Sequence, residues 1–213
     1  MSNSEEGSVQ RENGGWQATL DHIGAYYGDL VRKHGFSARS CDYGSKASQL
    51  KKFSAVQGVM PLQGCRILDI GCGFAEFADF LEENIGEVDY TGIEIAPEIL
   101  KKAKKRRPDL KLYNIDILRE TPSRSFDLVT ANGIFYLLGQ NAKEITEKLI
   151  ERMFFLTDQA VAFTSLSSWA AQQQPNEFYA DPLETLMYCR RLTSWVTLRH
   201  DYAPNDFTVY MYK

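Results

Sequence analysis

A chain of 213 residues suits one domain with a single core, and a hydrophobic share of 44% with a mean hydropathy of −0.34 is ordinary for a globular protein. A formal net charge of −4 and a pI of about 5.5 leave no overall positive field to draw nucleic acid or an anionic membrane. The apolar runs fall short of a membrane span of roughly 20 residues, and Met1 to Glu6 lack the basic and apolar regions of a secretory signal. The expectation is a cytoplasmic protein with no nucleic-acid or membrane partner.

In chain order, residues 1–15 are polar and carry Gly7, Gly14 and Gly15, the composition of a disordered tail. From Trp16, the residues Leu20, Ile23, Tyr26, Tyr27, Leu30 and Val31 recur at helical spacing, and Gly35 is placed to stop the helix. A second helix is expected over 45–59, with Leu50, Phe53 and Val56 inward and Pro61 and Gly64 closing it. Strands are expected over 66–70, 90–95, 110–114, 126–131, 159–165, 194–201 and 207–212, and helices over 76–83, 97–106, 142–156 and 182–192. Alternating strands and helices predict an α/β fold, a doubly wound and mostly parallel sheet covered on both faces. Only 202–206 separate the last two strands, too few for a crossover helix, so these form an antiparallel hairpin.

The first strand runs into Asp69-Ile70-Gly71-Cys72-Gly73-Phe74-Ala75, a glycine turn in which backbone can approach a ligand, followed by a helix start with free amides. The dinucleotide fingerprint G-x-G-x-x-G needs a glycine at 76, where Glu76 stands. Instead, Asp69-x-Gly71-x-Gly73-x-Ala75 resembles the first motif of the class I S-adenosylmethionine (SAM) dependent methyltransferases, D-x-G-x-G-x-G with alanine last. A parallel sheet ending in one antiparallel hairpin is also that family's Rossmann-like plan, with seven strands, so the resemblance covers residues 62–213. Residues 16–61 then form an N-terminal helical lid and substrate-binding segment.

The resemblance implies that Asp69, Gly71, Cys72 and Gly73 hold the methionine part of SAM. Glu94, at the next strand end with Ile95 beside it, can accept hydrogen bonds from both ribose hydroxyls, a role that would also suit NAD. Asp116 would accept from the adenine amine, with Ile117 against the ring. Asn132 and Gly133 stand where the family meets the SAM amino group and the acceptor. An N/D-P-P-Y/F sequence is missing there, which speaks against base methylation, and Tyr136 occupies a place where many small-molecule enzymes carry histidine. An NAD site lacks its third glycine here and leaves Asp69 unexplained.

His200 is the histidine at a predicted C-terminal strand end and is the first candidate for a general base, with Tyr136 second. Tyr26, Tyr27, His34 and Tyr43 on the N-terminal segment, with Trp169 and Tyr179 after the fifth strand, are expected to line the acceptor pocket, a rim suited to a small molecule. Cys41, Cys65, Cys72 and Cys189 are scattered, as are His22, His34 and His200, so neither a disulfide framework nor a metal site is expected. Lys101, Lys102, Lys104, Lys105, Arg106 and Arg107 read as a solvated helix end. The expected function is methyl transfer by in-line displacement to oxygen or nitrogen of a metabolite, sugar or natural-product acceptor, by a monomer or homodimer. The alternatives are a non-catalytic SAM-binding adaptor and a protein or RNA methyltransferase.

Overall fold

Seven short runs rich in aliphatic and aromatic residues pair into one sheet, and the intervening amphipathic helices cover its two faces. The computed structural model describes the backbone of residues 3–213 and the side chains of residues 15–213. The strands are β1 (Arg66–Ile70), β2 (Asp89–Ile93), β3 (Lys111–Tyr113), β4 (Phe126–Asn132), β5 (Thr157–Leu166), β6 (Val196–Arg199) and β7 (Asp206–Tyr212). They lie in the order β3-β2-β1-β4-β5-β7-β6, with β1 to β5 parallel and β7 antiparallel to both β5 and β6. The doubly wound parallel sheet with an antiparallel end hairpin is thus the fold observed. β6 is shorter than the span read from sequence and leaves His200 and Asp201 beyond its end.

The helices are α1 (Asn3–His34), α2 (Lys46–Gln57), α3 (Glu76–Asn84), α4 (Pro97–Arg106), α5 (Ala142–Leu156) and α6 (Pro182–Leu192). A single 3-10 turn, Ala38–Cys41, links α1 to α2. Composition assigned residues 1–15 to a disordered tail; the backbone from residue 3 continues α1, and residues 1–2 lie outside the described residues. Extending a nucleated helix adds one hydrogen bond per residue ordered, so a polar stretch can follow an apolar stripe into helix. The Ser45 hydroxyl caps α2 by accepting from Ser48 N at 3.1 Å, and Asp181 caps α6 through Leu183 N and Glu184 N, with Pro182 opening that helix.

Successive residues of β1 face opposite ways, which sorts the core into two layers. Leu68 and Ile70 pack with Leu149, Ile150 and Met153 of α5, whereas Ile67 packs with Phe53, Phe77 and Leu81 of α2 and α3. Asp69 shares the side of Ile67. Gly92 in β2 leaves room for neighbours on this layer: a Cβ there would stand 2.7 Å from Cys72 Sγ and 2.8 Å from Leu112 Cδ2. No helix among the described residues is long and apolar enough to cross a membrane.

The N-terminal ends of β1, β4 and β5 are pinned by Asp127. Its carboxylate accepts from Arg66 N and Nη2, each at 2.8 Å, from Arg66 Nε at 3.0 Å and from Gln159 Nε2 at 3.0 Å. The Arg66 guanidinium holds the Asp127 carboxyl well below the usual carboxylate range. Asp127→Ala is expected to cost about 1–2 kcal/mol near neutral pH, a value reduced by solvent screening at the partly exposed Arg66. Because the folded pKa is depressed, this stability is fully present above the unfolded value of about 4 and is lost as pH falls toward the folded one. Urea unfolding of wild type and variant should therefore differ near neutrality and converge in acid.

Candidate active site

The sheet changes winding direction between β1 and β4, and in such sheets a crevice opens at the carboxyl ends of the strands flanking the switch. Here it is a cleft of about 1030 Å³, its open mouth included. The turn after β1 forms its floor. Gly71 has φ +69°, and a Cβ on it would meet Ile134 Cγ2 at 2.4 Å, so both conformation and space require glycine. Gly71 N and Cys72 N donate to Ile93 O at 2.8 and 3.0 Å, which ties the turn to the end of β2.

Four carboxylates reach this cleft: Asp69, Glu76, Glu94 and Asp116. Glu94 is buried, and its two oxygens accept from Gly73 N at 3.0 Å and Ala96 N at 2.8 Å. Burial raises its pKa while those amides oppose the rise. Glu76 opens α3 and accepts from Gln49 Nε2 at 2.7 Å and Lys46 Nζ at 3.0 Å. Asp116 accepts from Trp16 Nε1 at 2.7 Å and Leu118 N at 3.0 Å, with Arg119 Nε 3.5 Å away. Asp69 is less well satisfied: Oδ2 accepts from the Tyr90 hydroxyl at 2.6 Å, while Oδ1 is buried with no hydrogen-bond partner. The amide oxygen and nitrogen of Asn132, at the end of β4, are likewise buried and unpartnered. Such groups are rare in native folds because each forfeits its hydration.

α1 and the segment after it roof the cleft with Trp16, Ile23, Tyr27, Cys41 and Tyr43. Behind Tyr27 lies a hydroxyl cluster. The Tyr27 and Tyr136 oxygens are 2.9 Å apart, Tyr136 donates to Asp42 Oδ2 at 2.8 Å, and Tyr26 donates to the same atom at 2.7 Å. Burial pushes the Tyr27 and Tyr136 phenols far above their ordinary pKa, so both are protonated at neutral pH. The Tyr43 hydroxyl donates to Asn132 O at 3.4 Å.

Asp69, Gly71, Cys72, Gly73, Glu94, Ile95, Asp116, Ile117, Asn132 and Gly133, the positions expected at a cofactor, all line this one cleft. Of the residues expected at the acceptor, Tyr27 and Tyr43 do so; Tyr26, His34, Trp169 and Tyr179 stand outside it. Tyr179 borders a separate depression between α5 and α6 and donates to Glu177. His200, expected as a general base, is displaced from the cleft because β5 and β7 lie between β4 and β6, roughly 14 Å at the usual strand spacing. Its ring stacks between Trp169 and Phe207, and Nε2 lies 2.8 Å from Ser167 Oγ. Tyr136 does not line the cleft and reaches it through Tyr27. Trp16, Gln49 and Glu76 also line the cleft, beyond the residues expected there, and the glutamate standing in place of a third glycine at 76 is the one local sign of them.

Burial, opposed by the Tyr90 hydrogen bond and reinforced by the Glu94 charge, pushes the Asp69 pKa up to about 7. Since the unfolded value is about 4, ionising Asp69 in the ligand-free fold costs stability progressively as pH rises through the window between the two. Asp69→Asn is expected to remove that decline, so the melting temperature of the variant should fall less than that of wild type between about pH 5 and about pH 8.

Residues 68–159 match the model of a methyltransferase domain. A Mycobacterium tuberculosis protein named as a methyltransferase, Rv1506c, is 30% identical over 155 residues, 69% of this chain and 92% of that protein. The ubiquinone biosynthesis O-methyltransferase of Paracidovorax citrulli is 37% identical over 82 residues, 35% of this chain and only 34% of that enzyme. Among solved structures, magnesium protoporphyrin IX methyltransferase of Synechocystis PCC 6803, with bound S-adenosylhomocysteine (SAH), aligns over 93% of this chain and 99% of its own. The TM-score is 0.65 at 11% identity, a likeness of fold. Kinship over most of both chains, joined to this strand order, makes the protein a member of the class I SAM-dependent methyltransferases.

Proposed function

We propose that the protein methylates oxygen or nitrogen of a small-molecule acceptor, using the cleft between β1 and β4. The observation that carries this reading is the pair of unsatisfied polar groups there, Asp69 Oδ1 and the Asn132 amide, which a ligand with an amino-acid end would satisfy. In this reading Asp69 and Asn132 address the ammonium end of SAM, while Gly71, Cys72, Gly73 and Gly133 provide a backbone wall. Glu94 retains lone pairs for the ribose hydroxyls beside the two amides it already accepts. Asp116 receives the adenine amine, between Ile95, Ile115 and Ile117.

SAM supplies an electrophilic methyl group on a sulfonium. The protein's own contribution is to hold the acceptor in line with that methyl and to keep water away from it. Trp16, Ile23, Tyr27 and Tyr43 provide the enclosing apolar surface. An O-methyltransferase among the relatives supports an oxygen acceptor.

Titration calorimetry is expected to show SAM and SAH binding and NADH not binding; the opposite preference would sink the assignment of the cleft. Glu94→Ala should weaken SAM by about 1.5–3 kcal/mol, roughly 10–150-fold, with the fold retained by circular dichroism. Incubation with SAM and a panel of small hydroxyl, amine and carboxyl compounds, read by product mass, should yield at least one methylated product. Retained SAM binding without transfer to any class would favour an adaptor.

A further inference from the structure

The hydroxyl chain behind the cleft has a direction that proton counting determines. Tyr136 has one hydroxyl proton and donates it to Asp42 Oδ2 at 2.8 Å. In the 2.9 Å contact with Tyr27, the Tyr136 oxygen is therefore the acceptor and Tyr27 the donor. With its proton so committed, Tyr27 offers only lone pairs to the cleft it lines. The far end of the chain, Asp42, is exposed, so the cleft is connected to the surface through Tyr27, Tyr136 and Asp42.

Charge gives a second, independent observation. Four carboxylates line the cleft, and among the described residues lining it there is no lysine, arginine or histidine. Lys46 and Arg119 answer Glu76 and Asp116 from outside the lining. An acceptor entering as a carboxylate would find no cationic side chain lining the cleft and no donor on Tyr27, which leaves the transient SAM sulfonium alone to answer its charge, and desolvating a poorly paired charge is costly. A group that donates a hydrogen bond fits both observations.

We infer, on the basis of the methyltransferase reading above, that the acceptor atom belongs to an uncharged O–H or N–H group that donates to Tyr27 Oη, and not to a carboxylate. For a hydroxyl, the O–CH₃ bond forms as the S–CH₃ bond breaks, and the breaking pair stays on sulfur as a neutral thioether. The acceptor proton passes to Tyr27 Oη, the Tyr27 proton to Tyr136 Oη and the Tyr136 proton to Asp42. Tyr27 is then the catalytic residue in contact with the acceptor, and Tyr136 and Asp42 are the residues that orient and drain it.

The test pairs binding with turnover. Protein loaded with SAH is titrated calorimetrically with catechol and with benzoate, and methyl-labelled SAM is supplied with the mixed panel. Product stability to mild alkali separates ethers and amines from methyl esters. The expected result is alkali-stable product and catechol binding about tenfold tighter than benzoate, a preference lost in Tyr27→Phe. Asp42→Asn preserves shape and the left-handed backbone at φ 57°. It should lower kcat about tenfold or more with the SAM Kd and melting temperature near wild type, and Asp42→Glu should recover part of the rate. Should Tyr27→Phe fail to fold, the Asp42 pair carries the comparison. Alkali-labile product, tighter benzoate, or an unchanged kcat in Asp42→Asn overturns the inference alone. SAM binding with no transfer to any panel member overturns the small-molecule reading and this inference with it.

Discussion

The site depends on the buried carboxylate of Glu94 and the two backbone amides that satisfy it. Gly73 N belongs to the turn after β1 and Ala96 N to the entry of α4, so one side chain joins the loops following the neighbouring strands β1 and β2. A carboxylate held away from water is tolerable only with such partners. The turn thereby stabilises Glu94, and Glu94 ties the turn to the entry of α4. Around this satisfied group lie Asp69 and Asn132, which are not. Leaving a buried polar atom unmade costs about 1–3 kcal/mol, and the parallel sheet offsets that burden by burying β1 and β4 on both faces. Departures from internal consistency of this kind are expected where a fold is committed to a ligand.

The roof is of different construction. α1 meets the rest of the site through a few polar contacts at long range in sequence, Trp16 to Asp116 and Tyr27 to Tyr136, supplemented by the packing of Val31 against Phe74 and Ile99. Both oxygens of Asp116 are already engaged by Trp16 Nε1 and Leu118 N. A ligand amine at that position shares the carboxylate with the indole instead of meeting a bare one. In the proposed reading, recognition at the adenine end is therefore coupled to the position of α1, whereas the glycine turn is held by the sheet.

The floor was legible in the chain because its signals are local. Asp69, Gly71 and Gly73 sit within five residues, and Glu94, Asp116 and Asn132 each follow a strand whose apolar run is plain, so parallel stacking brings them to one edge. Of the roof, Tyr27 and Tyr43 are legible as lining residues, but its long-range contacts are not. Trp16 reads as a helix-face residue, and nothing in its neighbourhood names a partner 100 positions away. His200 was misplaced for a related reason. Its strand end does point to the same side of the sheet as β4, but β7 inserts between β5 and β6, and that order is a property of the whole sheet. Tyr136 was recognised by position, yet its connection through Tyr27 to Asp42 needs three segments in register.

Gly92 carries a consequence for how this chain can diverge. The absent side chain is what admits the Cys72 thiol and Leu112 against β2, since any Cβ would overlap both. Positions 72, 92 and 112 thus share one fixed volume beneath the glycine turn. Enlargement at one has to be matched by reduction at another, so substitutions there should appear in related chains as linked sets, inherited together.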